Sequence, residues 1–289
     1  MLAVILALAS AVGYGCSDFA AGLASRTASV IQVSLLACVA AAVVVLAALP
    51  FAADHRPSGA ALAWGAAAGA GGTLGGIALY LGFRYAAFSV AAPLSAVGTA
   101  GFSVLAGLLW GERPSTLALI GIGLALPAIV GVSAGAGDAE QEPGQGHRGR
   151  PAAGVVAGLI AGACFALLLI GLNRAGPGGG LWPAAAAEAA ELTVAVAAAA
   201  VTRNLRLPGG RTGWLAVITG VAGAAGTLFY FYASHDGFLA VVAVLTSLYP
   251  ASTIVLARVT LGERLTRLRL AGLVLAGVCV GLIAAGGAG

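Results

Sequence analysis

Lysine is missing from this chain of 289 residues, and every basic side chain is an arginine. A phosphate-binding Gly-Lys-Ser/Thr loop is therefore impossible, and ATP does not drive the protein directly. Charge of either sign is scarce, at 8% of residues, where a soluble domain carries about a quarter. That is too little polar side chain to cover a water-facing surface. Histidine occurs only at His55, His147 and His235, between the apolar runs and outside any HExxH or GxSxG context, so no catalytic residue is expected. Cys16, Cys38, Cys164 and Cys279 fall inside apolar runs with no CxxC or Cys/His spacing, and read as small core residues with no metal or disulfide role. No cofactor is implied. The net charge of +4 is scattered over loops with no basic stripe, which argues against a nucleic-acid partner.

Apolar sequence is what the chain does have. Such residues make up 60% of it, in long runs without period-2 alternation. A membrane-spanning helix takes about 20 mostly apolar residues, and backbone groups in lipid must bond within the protein. The expectation is an all-α polytopic membrane protein of ten transmembrane helices, at 2–21, 30–50, 60–82, 87–109, 116–135, 152–172, 182–201, 213–233, 238–258 and 268–286. Turn and charge residues mark the breaks, as in Gly176-Pro177-Gly178-Gly179-Gly180 and Pro208-Gly209-Gly210-Arg211. Leu2–Ala11 is preceded by no positive segment and has a counterpart later in the chain, so it reads as the first helix and not as a leader.

The two halves look alike. Gly111-Glu112-Arg113 recurs 151 positions later as Gly262-Glu263-Arg264, and at the same shift Leu79-Tyr80 falls on Tyr230-Phe231. The expected organisation is a five-helix repeat over 1–136, a polar linker over 137–151 and a second five-helix repeat over 152–289. An odd number of spans inserts the second copy upside down, and inverted repeats are a known build for transporters, with the site near the midplane where the repeats meet. In the third span Gly65, Gly69, Gly72 and Gly76 form rows of small residues that let helix backbones approach closely.

Several stretches resemble the drug/metabolite transporter superfamily and, within it, the EamA family. They are Gly13-Tyr14-Gly15-Cys16-Ser17-Asp18-Phe19 in the first span, Ala92-Pro93-Leu94-Ser95 and the closing Gly111-Glu112-Arg113-Pro114 in the fourth, and Leu245-Thr246-Ser247-Leu248-Tyr249-Pro250 with the closing Gly262-Glu263-Arg264 in the ninth. The resemblance covers essentially the whole chain. It implies two five-helix repeats, a central cavity between them and alternating access, and leaves the substrate open among amino acids, other metabolites and drugs.

Ionisable groups at the centre of a bilayer cost about 2.5–3.5 kcal/mol on insertion scales, so each is a functional candidate. Asp18 shares a helix face with Ser10, Tyr14 and Ser17, which suits a wall of a solute path. It would equally suit a loop cap or a partner for Arg26. Glu188 and Glu191 lie three residues apart in the seventh span, where two carboxylates cannot both ionise cheaply. Their counterparts in the first half are Ala37 and Ala40, so the pair is not repeated. Hydroxyl stripes run through Thr73 and Tyr80, through Ser95, Thr99 and Ser103, through Thr227, Tyr230 and Ser234, and through Thr246, Tyr249 and Thr253. Hydroxyls also bond their own helix. The candidate substrate- or ion-binding residues are Tyr14, Asp18, Tyr80, Ser95, Glu188, Glu191, Tyr230 and Tyr249. Pro93 and Pro250 each free a carbonyl. Glu112 and Glu263 read as local ion pairs with the adjacent arginines, and His235-Asp236 as a solvated turn.

The expected function is secondary transport of a small metabolite or drug across the cytoplasmic membrane, with proton coupling as an option. The alternative is a channel or a non-transporting scaffold. Partners are the small-molecule substrate and membrane lipid, with the chain a monomer or homodimer. Ten spans put both ends on one side. Arg26, Arg84, Arg148, Arg150, Arg203, Arg206, Arg211, Arg264, Arg267 and Arg269 lie opposite the termini, whereas Arg56, Arg113 and Arg174 lie on their side. Positive residues prefer the cytoplasm, so this distribution places the ends outside; the resembled family is usually drawn with both ends inside.

Overall fold

The computed structural model of the chain describes residues 1–51, 57–85, 88–133, 151–262 and 266–286, apart from the side chains of 80–85, 88–93 and 151–153. The described residues are helical, with no strand among them. Five helices precede the linker: α1 (Leu2–Ser25), α2 (Val30–Ala48), α3 (Gly59–Tyr85), α4 (Phe88–Leu109) and α5 (Thr116–Ser133). After it come α6 (Pro151–Arg174), α7 (Trp182–Val201), α8 (Gly210–Asp236), α9 (Leu239–Thr246), α10 (Tyr249–Leu261) and α11 (Arg267–Gly286). Among the described residues the helices make ten apolar spans, because α9 and α10 share one, with α4 counted on its stretch Leu94–Leu109. The ladder breaks at Ser247-Leu248, where Ser247 Oγ donates to the Ala243 carbonyl at 2.8 Å, and α10 restarts with Pro250 in its first turn. A single ninth span was expected from the sequence; it is a broken helix, whereas its counterpart α4 runs unbroken through Pro93.

Helix ends are set by short polar caps. Ser29 Oγ accepts from the Gln32 amide at 3.3 Å, Ser58 from Ala61 at 3.1 Å and Ser115 from Ala118 at 3.3 Å. Gly111 ends α4 with a φ of 87°, while the Glu112 amide donates to the Gly107 carbonyl and the Gly111 amide to that of Leu108, both at 3.0 Å. This left-handed closure favours glycine, and its counterpart Gly262 has a φ of 68°.

The turn at Gly111 aims Glu112 away from Arg113 and across the molecule. Its Oε1 accepts from the Leu239 amide at 2.6 Å and its Oε2 from the Ala240 amide at 2.9 Å. The carboxylate caps α9 in the other half, at a helix end whose free amides favour an anion. The reading of Glu112 as a local ion pair is therefore corrected; Glu263 lies outside the described residues. Glu112→Ala is expected to lower the unfolding free energy by about 2 kcal/mol, and Arg113→Ala by less than about 0.5 kcal/mol. Thermal unfolding of the two variants in detergent compares them, and equal losses would restore the ion-pair reading.

Packing shows the repeat more clearly than the sequence does. α1 packs on α8 as α6 packs on α3; α2 packs on α8 as α7 packs on α3; α4 lies on α6 as α9 and α10 lie on α1. The pairs α2–α7, α4–α9 and α5–α11 join equivalent helices. Exchanging the halves leaves this pattern unchanged, as a two-fold relation between inverted repeats requires. Outward-facing Val43, Leu46, Leu109, Leu119, Ile160, Val259 and Val274 are exposed, a surface suited to lipid. Trp110 and Trp182 sit at helix ends on the side of the termini and Trp214 at the opposite side, the levels where tryptophan gathers at a membrane interface. The Arg174 guanidinium stacks 4.7 Å above the Trp110 ring.

Candidate functional site

A cavity of about 320 Å³ lies between the halves, lined by α1, α2 and α3 from one and by α6, α7 and α8 from the other. Its wall runs from helix-end residues Ser25, Val30 and Ala198, on the side opposite the termini, to mid-helix residues Tyr14, Ala41 and Thr227. Beyond Tyr14 the two halves are joined. Tyr14 Oη shares a hydrogen bond with Thr227 Oγ1 at 3.1 Å, and Ser10 Oγ donates to the Gly226 carbonyl at 2.8 Å. Glu112 ties α9 to α4 on that same side.

Three carboxylates face the cavity: Asp18 from α1, with Glu188 and Glu191 from α7. Asp18 is exposed. Glu188 is only 3% exposed, and its Oε2 has no hydrogen-bond partner among the described residues. Glu191 leans against α3, where a Cβ on Gly72 would come within 2.6 Å of its Oε1. Gly72 is thus the residue that gives the Glu191 carboxylate its space. Thr73 Oγ1 donates to the Glu191 backbone carbonyl at 3.4 Å.

Most hydroxyl donors around the cavity are already engaged within the protein. Ser17 Oγ donates to the Thr219 carbonyl at 2.9 Å, and Thr219 Oγ1 to that of Leu215 at 2.9 Å. The remaining wall carries the hydroxyls of Ser25 and Ser34 and the thiol of Cys38 and is otherwise apolar or aromatic, with Phe165 and Leu168 from α6 and Val33, Ala37 and Ala41 from α2. Phe165 stands 151 positions after Tyr14, and each ring packs on a glycine of the opposite half, Gly75 and Gly226 respectively. Sequence reading passed over Phe165, although the repeat already pointed to it, and took Gly72 for helix packing alone.

Tyr14, Asp18, Glu188 and Glu191 are thereby brought together. Ser95, Tyr230 and Tyr249 stand apart from this cavity. Ser95 is fully buried on α4, where Thr99 Oγ1 donates to its carbonyl at 2.8 Å. Tyr230 Oη donates to the Leu169 carbonyl at 3.0 Å, which ties α8 to α6. Tyr249 opens α10, the helix whose Thr253 Oγ1 donates to the Gly15 carbonyl at 3.2 Å. The Tyr80 side chain lies outside the described residues. His235 is not a solvated turn: it lies in the last turn of α8, half-buried, with Nδ1–H donating to the Phe231 carbonyl at 2.6 Å.

The EamA-like transporter family profile matches the chain twice, over residues 1–134 and 152–285. No curated protein matches it. Among solved structures, one described only as "Crystal structure of protein" superposes with a TM-score of 0.75 at 14% identity, covering 97% of this chain and 95% of that one. That likeness is one of fold. Two family matches, one on each five-helix half and together spanning nearly the whole chain, place this protein in the EamA-like transporter family.

Proposed function

We propose that the protein is a secondary transporter of a small metabolite or drug, working by alternating access between its two halves in the cytoplasmic membrane. The observation that carries this reading is the cavity itself, which sits at the junction of the repeats, opens to one side and is shut on the other by contacts between the halves. A closed end favours a carrier over a channel, which needs a continuous path. Without a nucleotide-binding loop, the energy comes from a solute or ion gradient, and the three carboxylates are the groups able to take up a proton or another cation. In proteoliposomes the purified chain should show saturable counterflow across a metabolite panel. Ohmic current would instead mark a channel, and neither signal would leave a scaffold.

The cavity opens on the side that holds most of the arginines, which we take as the cytoplasmic face. Single cysteines in the linker (137–150) and at the C-terminus, in a background without other cysteines, should label from opposite sides, the linker from inside. Labelling from the same side would remove a span and with it the inverted repeat.

A further inference from the structure

Resting on the carrier reading, we propose that the cavity takes an organic cation bearing N–H donors, an amine or guanidine of modest size, held by Glu188 and Glu191 of α7 with Asp18 of α1 as a further acid in the wall.

The cavity is rich in acceptors and poor in donors. Three carboxylates face it, while its described lining includes no arginine or histidine, and the chain has no lysine. Ser17, Thr73 and Thr219 give their protons to backbone carbonyls, and one of the Tyr14 and Thr227 hydroxyls donates to the other, so the donors left in the described lining are neutral: Ser25, Ser34 and the accepting hydroxyl of that pair. An anionic solute would find little to donate to it. A neutral solute would leave the carboxylates uncompensated.

Glu188 is the sharper observation. Its Oε2 is buried without a hydrogen-bond partner among the described residues, an arrangement that is costly for a carboxylate and that a donor reaching it would relieve. A ligand ammonium or guanidinium supplies both the charge and the donors. An inorganic metal ion suits the site less well, because among the described residues no three His, Cys, Asp or Glu side chains converge to hold one. Asp18 comes from α1 and the glutamates from α7, so acids reach the cavity from both halves. Phe165, Leu168 and the ring of Tyr14 provide the apolar wall for its carbon part. The volume of about 320 Å³ is at the small end of ligand pockets.

Proton and substrate then compete for the same oxygens. The titratable groups facing this space are Tyr14 and Asp18 from α1, Cys38 from α2, and Glu188 and Glu191 from α7; the described lining of α3, α6 and α8 adds hydroxyls and apolar groups. A proton on either glutamate removes charge that the cation needs, so cation affinity rises with pH.

The test uses the purified full chain in detergent with four probes: benzylamine, agmatine, benzyl alcohol and phenylacetate. By isothermal titration, the two cations should bind at least about tenfold more tightly than the neutral and anionic probes, and more tightly at about pH 8 than at pH 6. Glu188→Gln should remove about tenfold of cation affinity without changing the response to benzyl alcohol, and labelled agmatine should exchange in proteoliposomes. Equal or tighter binding of benzyl alcohol or phenylacetate would overturn the cation assignment, while exchange of those probes would leave the carrier reading standing. Binding by neither cation overturns the assignment whatever the wider counterflow panel finds. Absence of counterflow for every solute in that panel overturns the carrier reading separately.

Discussion

Glu188→Gln combined with Glu191→Gln is expected to abolish solute exchange and flatten its pH profile while the protein stays folded. The amides keep the size of both side chains and remove only their charge. Folding should not suffer, because Glu188 is buried without a partner for Oε2 among the described residues and an uncharged amide is cheaper to bury than a carboxylate. Binding should suffer strongly. A hydrogen bond to a charged group contributes about 1.5–3 kcal/mol, so losing two of them lowers exchange by roughly 100-fold or more. The pH dependence belongs to the pair, since the two glutamates lie three residues apart on one face of α7. Wild-type exchange of a cation should increase with pH, and the double variant should show no such rise over the same range. Asp18→Asn alone leaves the pair intact, so it should weaken exchange and preserve the slope. Counterflow against pH in proteoliposomes reads all three variants, and thermal unfolding in detergent reads their folding. A double variant with wild-type exchange and an unchanged profile would make the pair structural.

The contrast between these glutamates and the hydroxyl stripes shows which parts of the site were legible. A carboxylate in an apolar run stands out because lipid makes it costly, and Asp18, Glu188 and Glu191 all face the cavity. The spans were legible for the same reason, since lipid demands a long apolar run for every crossing. A serine or threonine carries no such mark. Thr99 and Thr253 each bond the carbonyl four residues back, so their stripes report helix chemistry and not a wall. Tyr230 spends its hydroxyl on Leu169, a partner 61 positions away that no local pattern reveals. Glu112 shows the same limit more strongly. Its neighbour in sequence is Arg113, but the groups it binds are the amides of Leu239 and Ala240. Charge adjacent in sequence suggested a local pair, and only the left-handed turn at Gly111 turns the carboxylate toward the other half. The repeat itself was visible in the recurring Gly-Glu-Arg, and Pro250 marked the place where α9 gives way to α10, at the position that Thr99 holds in the continuous α4.

The glycines of α3 divide into two kinds, and two substitutions should separate them. Gly65 and Gly69 lie where α3 meets α7 so closely that a Cβ would overlap the carbonyls of Pro183 and Ala187. The other half repeats the contact, with Gly220 of α8 against the Ala37 carbonyl of α2. Backbone atoms cannot turn aside as a side chain can, so Gly69→Leu must force α7 off α3. Overpacking of this kind costs about 3 kcal/mol or more, and it displaces the helix that carries Glu188 and Glu191. Gly76 lies about two turns further along α3, where a Cβ meets nothing within 4 Å and the residue lines the cavity. Leucine there relieves the cost of glycine in a helix, about 1 kcal/mol, and projects its side chain into the space proposed for the solute. Gly76→Leu should therefore unfold at or slightly above the wild-type temperature and yet fail to exchange solute, while Gly69→Leu should lose both stability and exchange. Thermal unfolding in detergent, paired with counterflow, reads the two variants together. Wild-type stability in Gly69→Leu would refute the close α3–α7 contact, and normal exchange by a stable Gly76→Leu would move the solute path away from this cavity.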